Sequence, residues 1–307
     1  PYVNLLRSTT ETMSAAIAGV DSMTVQPFDV AYRRPDSFSE RTARNQQIIL
    51  REESYFSKIV DPSAGSYFVE NLTASIADHA WKLFLEIEDK GGYIAAMKEG
   101  FIQAQTEESA AKRRAAIASR KETLLGTNQY ANFNEFMKDR LGETGCCVGS
   151  GTGKTEKIAA PLKFFRLGEA FENLRLRTEN SEHRPKVFLL TIGNLTMRKA
   201  RAGFALNFFA VAGFEVMDNT GFDTVEAGVE AAAKAKADII VLCSSDDEYP
   251  ALVPQAVAAA KGKAILVLAG YPKPIVEELK AAGMEHFIFA GQNVLEALEE
   301  YQRLIGL

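Results

Sequence analysis

The sequence predicts an α/β protein whose residues 186–307 form a doubly wound parallel sheet. The run Val187-Phe188-Leu189-Leu190-Thr191-Ile192 is apolar almost without a break, as a strand covered on both faces requires. Four further short apolar runs follow at Phe214–Met217, Ile239–Cys243, Ala264–Leu268 and His286–Phe289. The stretches between and after them read as helices with marked ends. Asp223 with Glu226 fits a capping box, Pro250 and Pro274 suit first-turn positions, and Gly262 and Gly283 suit the stops. Five β-α units at this spacing predict a flavodoxin-like, Rossmann-like strand order.

Residues 1–120 read differently. Val3 to Ile17 carries apolar residues at helical spacing and stops at Gly19. Asp21 to Asp29 reads as a short strand entering a loop at Pro27. Asp36-Ser37 offers an N-cap for a helix over 36–56, and Asp61-Pro62-Ser63-Ala64-Gly65-Ser66 is a turn cluster. Val69 to Glu88 is a long amphipathic helix, with Trp81 as its expected core anchor, and Tyr93 to Ala118 supplies two more helices. One strand with this much helix is the pattern of the end of a larger α/β domain, whose sheet would lie upstream. The stretch 121–185 is punctuated by Gly142, Gly145, Gly149, Gly151 and Gly153 and reads as a linker with one helix around Leu162–Leu174.

Composition excludes several function classes. A net charge of −5 with no basic stripe gives no footprint for nucleic acid. No apolar run approaches the roughly 20 residues of a membrane span. Three cysteines, two of them adjacent at Cys146 and Cys147, make no disulfide framework, so a reducing cytoplasm is expected. The first residues carry neither a starting Met nor a signal peptide, which reads as a fragment of a longer protein.

In a doubly wound sheet ligands bind beyond the carboxyl ends of the strands, at the switch point. The loop there, Gly193-Asn194-Leu195-Thr196-Met197-Arg198-Lys199-Ala200, holds no carboxylate and no histidine. Arg198, Lys199 and Arg201 read as a solvated helix face. Asp246-Asp247-Glu248 gathers three acids, but at a helix start, where the dipole favours acids without any metal. The stretch Gly149–Thr155 imitates a phosphate loop, yet Val148 stands where that motif needs its first glycine. His79, His183 and His286 lack metal-ligand spacing, and Cys243 reads as a small buried hydrophobe. No residue takes a catalytic or metal-binding role on this reading.

Longer motifs carry a resemblance. Pro1-Tyr2-Val3-Asn4-Leu5-Leu6-Arg7-Ser8-Thr9-Thr10, Arg41-Thr42-Ala43-Arg44-Asn45-Gln46-Gln47 and Arg51-Glu52-Glu53-Ser54 resemble the last part of the substrate barrel of methylmalonyl-CoA mutases. So does Asp61-Pro62-Ser63-Ala64-Gly65-Ser66-Tyr67 with Val69-Glu70, and the likeness continues through Gly91-Gly92 into the five-unit domain. The resemblance implies the mostly helical carboxy-terminal end of a TIM-barrel domain at 1–120, a linker at 121–185 and a degenerate cobalamin-binding-type domain at 186–307. A complete eight-stranded barrel does not fit in the first stretch.

Active chains of the family use adenosylcobalamin to interconvert (R)-methylmalonyl-CoA and succinyl-CoA. They carry Asp-x-His-x-x-Gly after the first strand, where the His ligates cobalt, the Asp orients it and the Gly admits the displaced nucleotide tail. Counted from Gly193, these positions hold Leu195, Met197 and Ala200. In the barrel, the Asn and Glu that meet the deoxyadenosyl group correspond to Gln26 and Val30. Erosion at two separate sites implies a non-catalytic small subunit that binds no cofactor itself. Its expected partner is a large catalytic subunit, which holds the adenosylcobalamin in a heterodimer serving propionate metabolism. Two alternatives stay open. One is a competent cobalamin-binding mutase chain with Met197 as an unusual lower ligand, or with none. The other is a crevice that takes a different small molecule near Arg198, Lys199 and Arg201.

Overall fold

A computed structural model describes residues 2–142 and 158–307. The phosphate-loop imitation at 149–155, Gly145 and the Cys146-Cys147 pair lie outside the described residues. The chain divides into two compact units, Pro1–Ser109 with Arg140–Lys163, and Ala110–Asp139 with Phe164–Leu307.

In the first unit, α1 spans Val3–Ile17 and α2 spans Ser37–Glu52. Asp36 caps α2 by accepting the N–H groups of Phe38 and Ser39, and the Ser39 hydroxyl accepts the Asp36 N–H in return. The buried Gln46 amide of α2 lies 3.1 Å from the Leu5 carbonyl and 2.8 Å from the hydroxyls of Ser8 and Thr9 on α1. Then come α3 (Tyr67–Asp89), α4 (Tyr93–Glu99) and α5 (Phe101–Ala118). Two expectations fail here. Asp21–Asp29 forms no strand: among the described residues of this unit no strand lies beside it to complete its backbone hydrogen bonds. Trp81 is not a core anchor. It is 61 % exposed and stacks on Phe84 at 5.1 Å, on a helix that buries none of its residues.

The second unit holds the sheet. Its strands are β1 (Lys186–Thr191), β2 (Glu215–Met217), β3 (Ile239–Cys243), β4 (Ile265–Ala269) and β5 (His286–Ile288). All pairings are parallel and the order is β2-β1-β3-β4-β5, so the expected flavodoxin-like order is present. The helices are α6 (Glu169–Asn180), α7 (Leu195–Ala210), α8 (Val225–Lys234), α9 (Tyr249–Ala260), α10 (Val276–Ala281) and α11 (Val294–Leu304). Alternation along β1 explains its nearly unbroken apolar run. Val187 and Leu189 enter a core with Phe171, Leu174, Phe208, Phe209 and Tyr301 from α6, α7 and α11. Phe188, Leu190 and Ile192 enter a second core with Val225, Val229, Tyr249 and Val253 from α8 and α9. Each fully buried large side chain contributes about 1.5–3 kcal/mol.

Local signals shift slightly. Thr224, not Asp223, caps α8, accepting the Ala227 N–H at 3.3 Å. Pro250 sits in the first turn of α9, whereas Pro274 falls in the turn before α10. Gly262 and Gly283 take positive φ at the stops, as expected. The helix placed around Leu162–Leu174 forms at Glu169–Asn180, because that register turns Phe171, Leu174 and Thr178 inward. Segment 120–136 is tied down by arginines. The Arg120 guanidinium donates to the carbonyls of Asn128 and Asn207, and burial lowers its pKa to about 10. Arg175 donates to the Asn132 and Glu135 carbonyls, and Arg184 to those of Phe133 and Gly213.

Candidate functional site

The chain leaves β1 to form β2 on one side and returns to form β3 on the other, which puts the switch point between β1 and β3. Three loops border it: Ile192–Asn194 after β1, Asp218–Gly221 after β2 and Ser244–Glu248 after β3. Beyond them, Gly270 follows β4.

The loop after β1 is short because Asn194 starts α7 at once. Its side-chain oxygen accepts the N–H groups of Thr196 and Met197, each at 3.1 Å. Leu195, Met197 and Ala200 therefore lie in the first turns of a helix. Leu195 and Ala200 are exposed and Met197 is half-buried. None brings a carboxylate or an imidazole to the crevice.

The chain's own side chains occupy the crevice. The Glu248 carboxylate accepts the Asn194 N–H at 3.0 Å and the Ser245 N–H at 3.2 Å. It also meets the Ser244 and Ser245 hydroxyls at 2.5 and 2.7 Å. These donors, the two serine hydroxyls foremost, hold its pKa down to about 2. A Cβ on Gly193 would overlap this carboxylate, and Gly193 has φ +77°, so glycine suits the position twice over. On the β2 side, Arg198 donates to the carbonyls of Gly193 at 3.3 Å and Thr220 at 3.1 Å, lying against Gly221. On the β4 side, Arg201 pairs with Asp246 at 2.8 Å and lies against Gly270. Below them, the fully buried Tyr249 hydroxyl donates to the Ala269 carbonyl at 2.7 Å and accepts the Ser244 N–H at 3.3 Å. That hydroxyl ties the ends of β3 and β4 together, and burial raises its pKa.

These contacts correct part of the sequence reading. Arg198 and Arg201 are not simply solvated; each spans two loops, while Lys199 is exposed. The three acids separate: Asp246 pairs with Arg201, Asp247 faces solvent and Glu248 turns inward. No group of potential metal ligands occurs among the described residues. The Cys243 thiol is fully buried, and burial raises its pKa. His183 pairs with Asp238 at 2.9 Å, His79 meets the Ser75 carbonyl at 2.7 Å and His286 packs near Tyr301. Glu248 and Tyr249 carry most of the local geometry, and sequence reading missed both roles. Their signal was two serines three and four residues ahead of an acid, with an aromatic at a helix start, which is a weak one.

In the first unit, Gln26 is exposed and Val30 is half-buried, with its N–H on the Pro27 carbonyl at 3.2 Å. Between them Asp29 is fully buried and accepts from Arg33 at 2.8 Å.

Comparison with known proteins places this arrangement. Residues 1–142 match the family model of methylmalonyl-CoA mutase. Over its whole length the chain is 51 % identical to the methylmalonyl-CoA mutase small subunit of Porphyromonas gingivalis, covering 49 % of that protein. The likeness to this mutase small subunit runs the whole length of the chain. The mutase small subunits of Streptomyces virginiae and Propionibacterium freudenreichii subsp. shermanii are each 33 % identical to it. Those matches cover 98 % and 100 % of this chain and 45 % and 47 % of theirs, so the chain spans about half the length of these relatives. A cobalamin-binding protein from Desulfitobacterium hafniense DCB-2 aligns with 46 % of this chain and 72 % of its own, at a TM-score of 0.33 and 21 % identity. That likeness is too remote to bear on function. Among the described residues no helix of this chain is long and apolar enough to cross a membrane.

Proposed function

We propose that this chain is a small subunit of methylmalonyl-CoA mutase that binds no adenosylcobalamin and catalyses no step itself. It serves as the structural partner of a large catalytic subunit, in the cytoplasm, where the buried thiol of Cys243 needs no disulfide partner. One observation carries the reading: Leu195, Met197 and Ala200 stand in the first turns of α7 at the switch point and offer neither a carboxylate nor an imidazole, while Glu248 bridges the loops after β1 and β3. The residues around it do not fit cobalamin bound through a protein imidazole. Leu195 cannot orient a ligand and Met197 offers only a thioether, a soft and weak substitute. Ala200 places a methyl group where the family's glycine would admit a nucleotide tail. No step is therefore assigned to the cofactor on this chain. Gln26 and Val30, in place of the deoxyadenosyl contacts, support the same reading from the other unit. The names of the three relatives above, each a mutase small subunit, support the partnership.

The test is reconstitution of the full-length protein with the catalytic large subunit. The expected result is a one-to-one complex whose turnover is the same with Met197→Ala as with the wild-type chain. Loss of turnover in that variant would restore Met197 as a ligand and end the proposal.

A further inference from the structure

The geometry points to Glu248 as a built-in occupant of an oxyanion nest, closing the switch point to external anions. The inference rests on the reading of this crevice as cofactor-free and says what keeps it so. The nest consists of the backbone N–H groups of Asn194 and Ser245 and the hydroxyls of Ser244 and Ser245, all within 3.2 Å of one carboxylate, with the single Ser244 proton shared between that carboxylate and the Ile192 carbonyl at 2.9 Å. These donors come from two different loops. Ser244 is fully buried. The nest is separate from the start of α7, because the Asn194 side chain already satisfies the Thr196 and Met197 N–H groups. It is also separate from the nearby ion pair, since Arg201 is engaged by Asp246 and Arg198 by two carbonyls. Glu248 thus neutralises the nest without a cation beside it.

The two N–H groups and the Ser245 hydroxyl, with the Ser244 hydroxyl shared with the Ile192 carbonyl, converge on one point and form a site for a small oxyanion such as inorganic phosphate. A tethered carboxylate outcompetes a free anion because its effective concentration is high. The low pKa of Glu248 agrees: the nest prefers the charged form. Removing the side chain while keeping the donors opens the nest to solvent anions.

Glu248→Ala in the full-length protein, titrated with inorganic phosphate, tests this. Phosphate is expected to shift the backbone amide resonances of Asn194 and Ser245 and to raise the melting temperature of the variant, with no such response in the wild type. A silent variant, or equal shifts in both proteins, would overturn the inference. Should the variant fail to fold, carbon NMR of the wild-type Glu248 carboxyl decides. A carboxyl still ionised at pH 3 supports the nest; titration near the ordinary value of 4.5 refutes it. Retention of adenosylcobalamin by the wild-type chain would overturn the proposed function by itself, whereas a silent phosphate titration without retained cofactor removes only the role of Glu248.

Discussion

The carboxylate of Glu248 accepts the backbone N–H of Asn194 at 3.0 Å, joining the N-cap of α9 to the N-cap of α7 across the switch point. The contact makes the acid part of the local fold, so it has a thermodynamic signature.

That signature is a pH dependence. Glu248 is held at about 2 in the folded protein, below the ordinary 4.5 that the unfolded chain approaches. Between those values the unfolded state binds a proton that the folded state does not, so its stabilisation is complete above pH 4.5 and is lost as pH falls toward 2. The urea midpoint of the wild type is expected to drop from pH 5 to pH 3 more steeply than that of Glu248→Gln. Parallel slopes would show that the carboxylate is not bound.

A second prediction concerns Gly228 in α8. Glycine to alanine inside a helix ordinarily stabilises by about 1 kcal/mol. Here a Cβ would stand 2.8 Å from Leu190 Cγ and 3.1 Å from its Cδ1, in the core between α8 and β1. Overpacking of this kind costs about 1–3 kcal/mol and outweighs the propensity gain. Gly228→Ala should therefore lower stability by up to about 2 kcal/mol in chemical denaturation.

Asn128 offers a third. Its side chain is fully buried, accepts the Leu124 N–H at 2.7 Å and donates to the Ile117 and Glu122 carbonyls at 2.9 Å each. Asn128→Ala leaves the Ile117 carbonyl with the Arg120 N–H at 3.1 Å but deprives the Leu124 N–H and the Glu122 carbonyl of this partner, at about 1–3 kcal/mol each where water cannot reach them. A loss of roughly 2–4 kcal/mol is expected, with faster amide exchange at Leu124. Exchange unchanged from the wild type would show that another group holds the turn.

Trp81, the sole tryptophan, gives a fourth. Its exposure predicts an emission maximum typical of an indole in water and efficient quenching by iodide when the chain is alone. Trp81→Ala should change the stability of the isolated chain by less than about 0.5 kcal/mol. A blue-shifted, protected indole would mean that α3 is covered within this chain after all.

Which parts of this structure were legible beforehand follows from where the information sits. The five strands could be read because both sheet faces are buried, so β1 and β3 advertise themselves as apolar runs such as Ile239–Cys243. The segment Asp21–Asp29 carries a strand-like composition but needs neighbours to become one, and local sequence does not encode neighbours. Trp81 misled for a related reason: an aromatic on an apolar helix signals burial without saying by what. At the crevice, the missing carboxylate and imidazole at Leu195 and Met197 were plain from the residues alone. That Glu248 turns inward was not, because an acid at a helix start satisfies the dipole rule whichever way its side chain points.

The central claim is that this chain's crevice is closed to the cofactor, and a titration of the full-length protein with adenosylcobalamin tests it most directly, read by the visible spectrum and by ultrafiltration. The account predicts a spectrum identical to free cofactor and none retained by the chain alone, with one cofactor retained per heterodimer once the catalytic large subunit is added. Tight binding to this chain alone, with the benzimidazole displaced from cobalt, would contradict it.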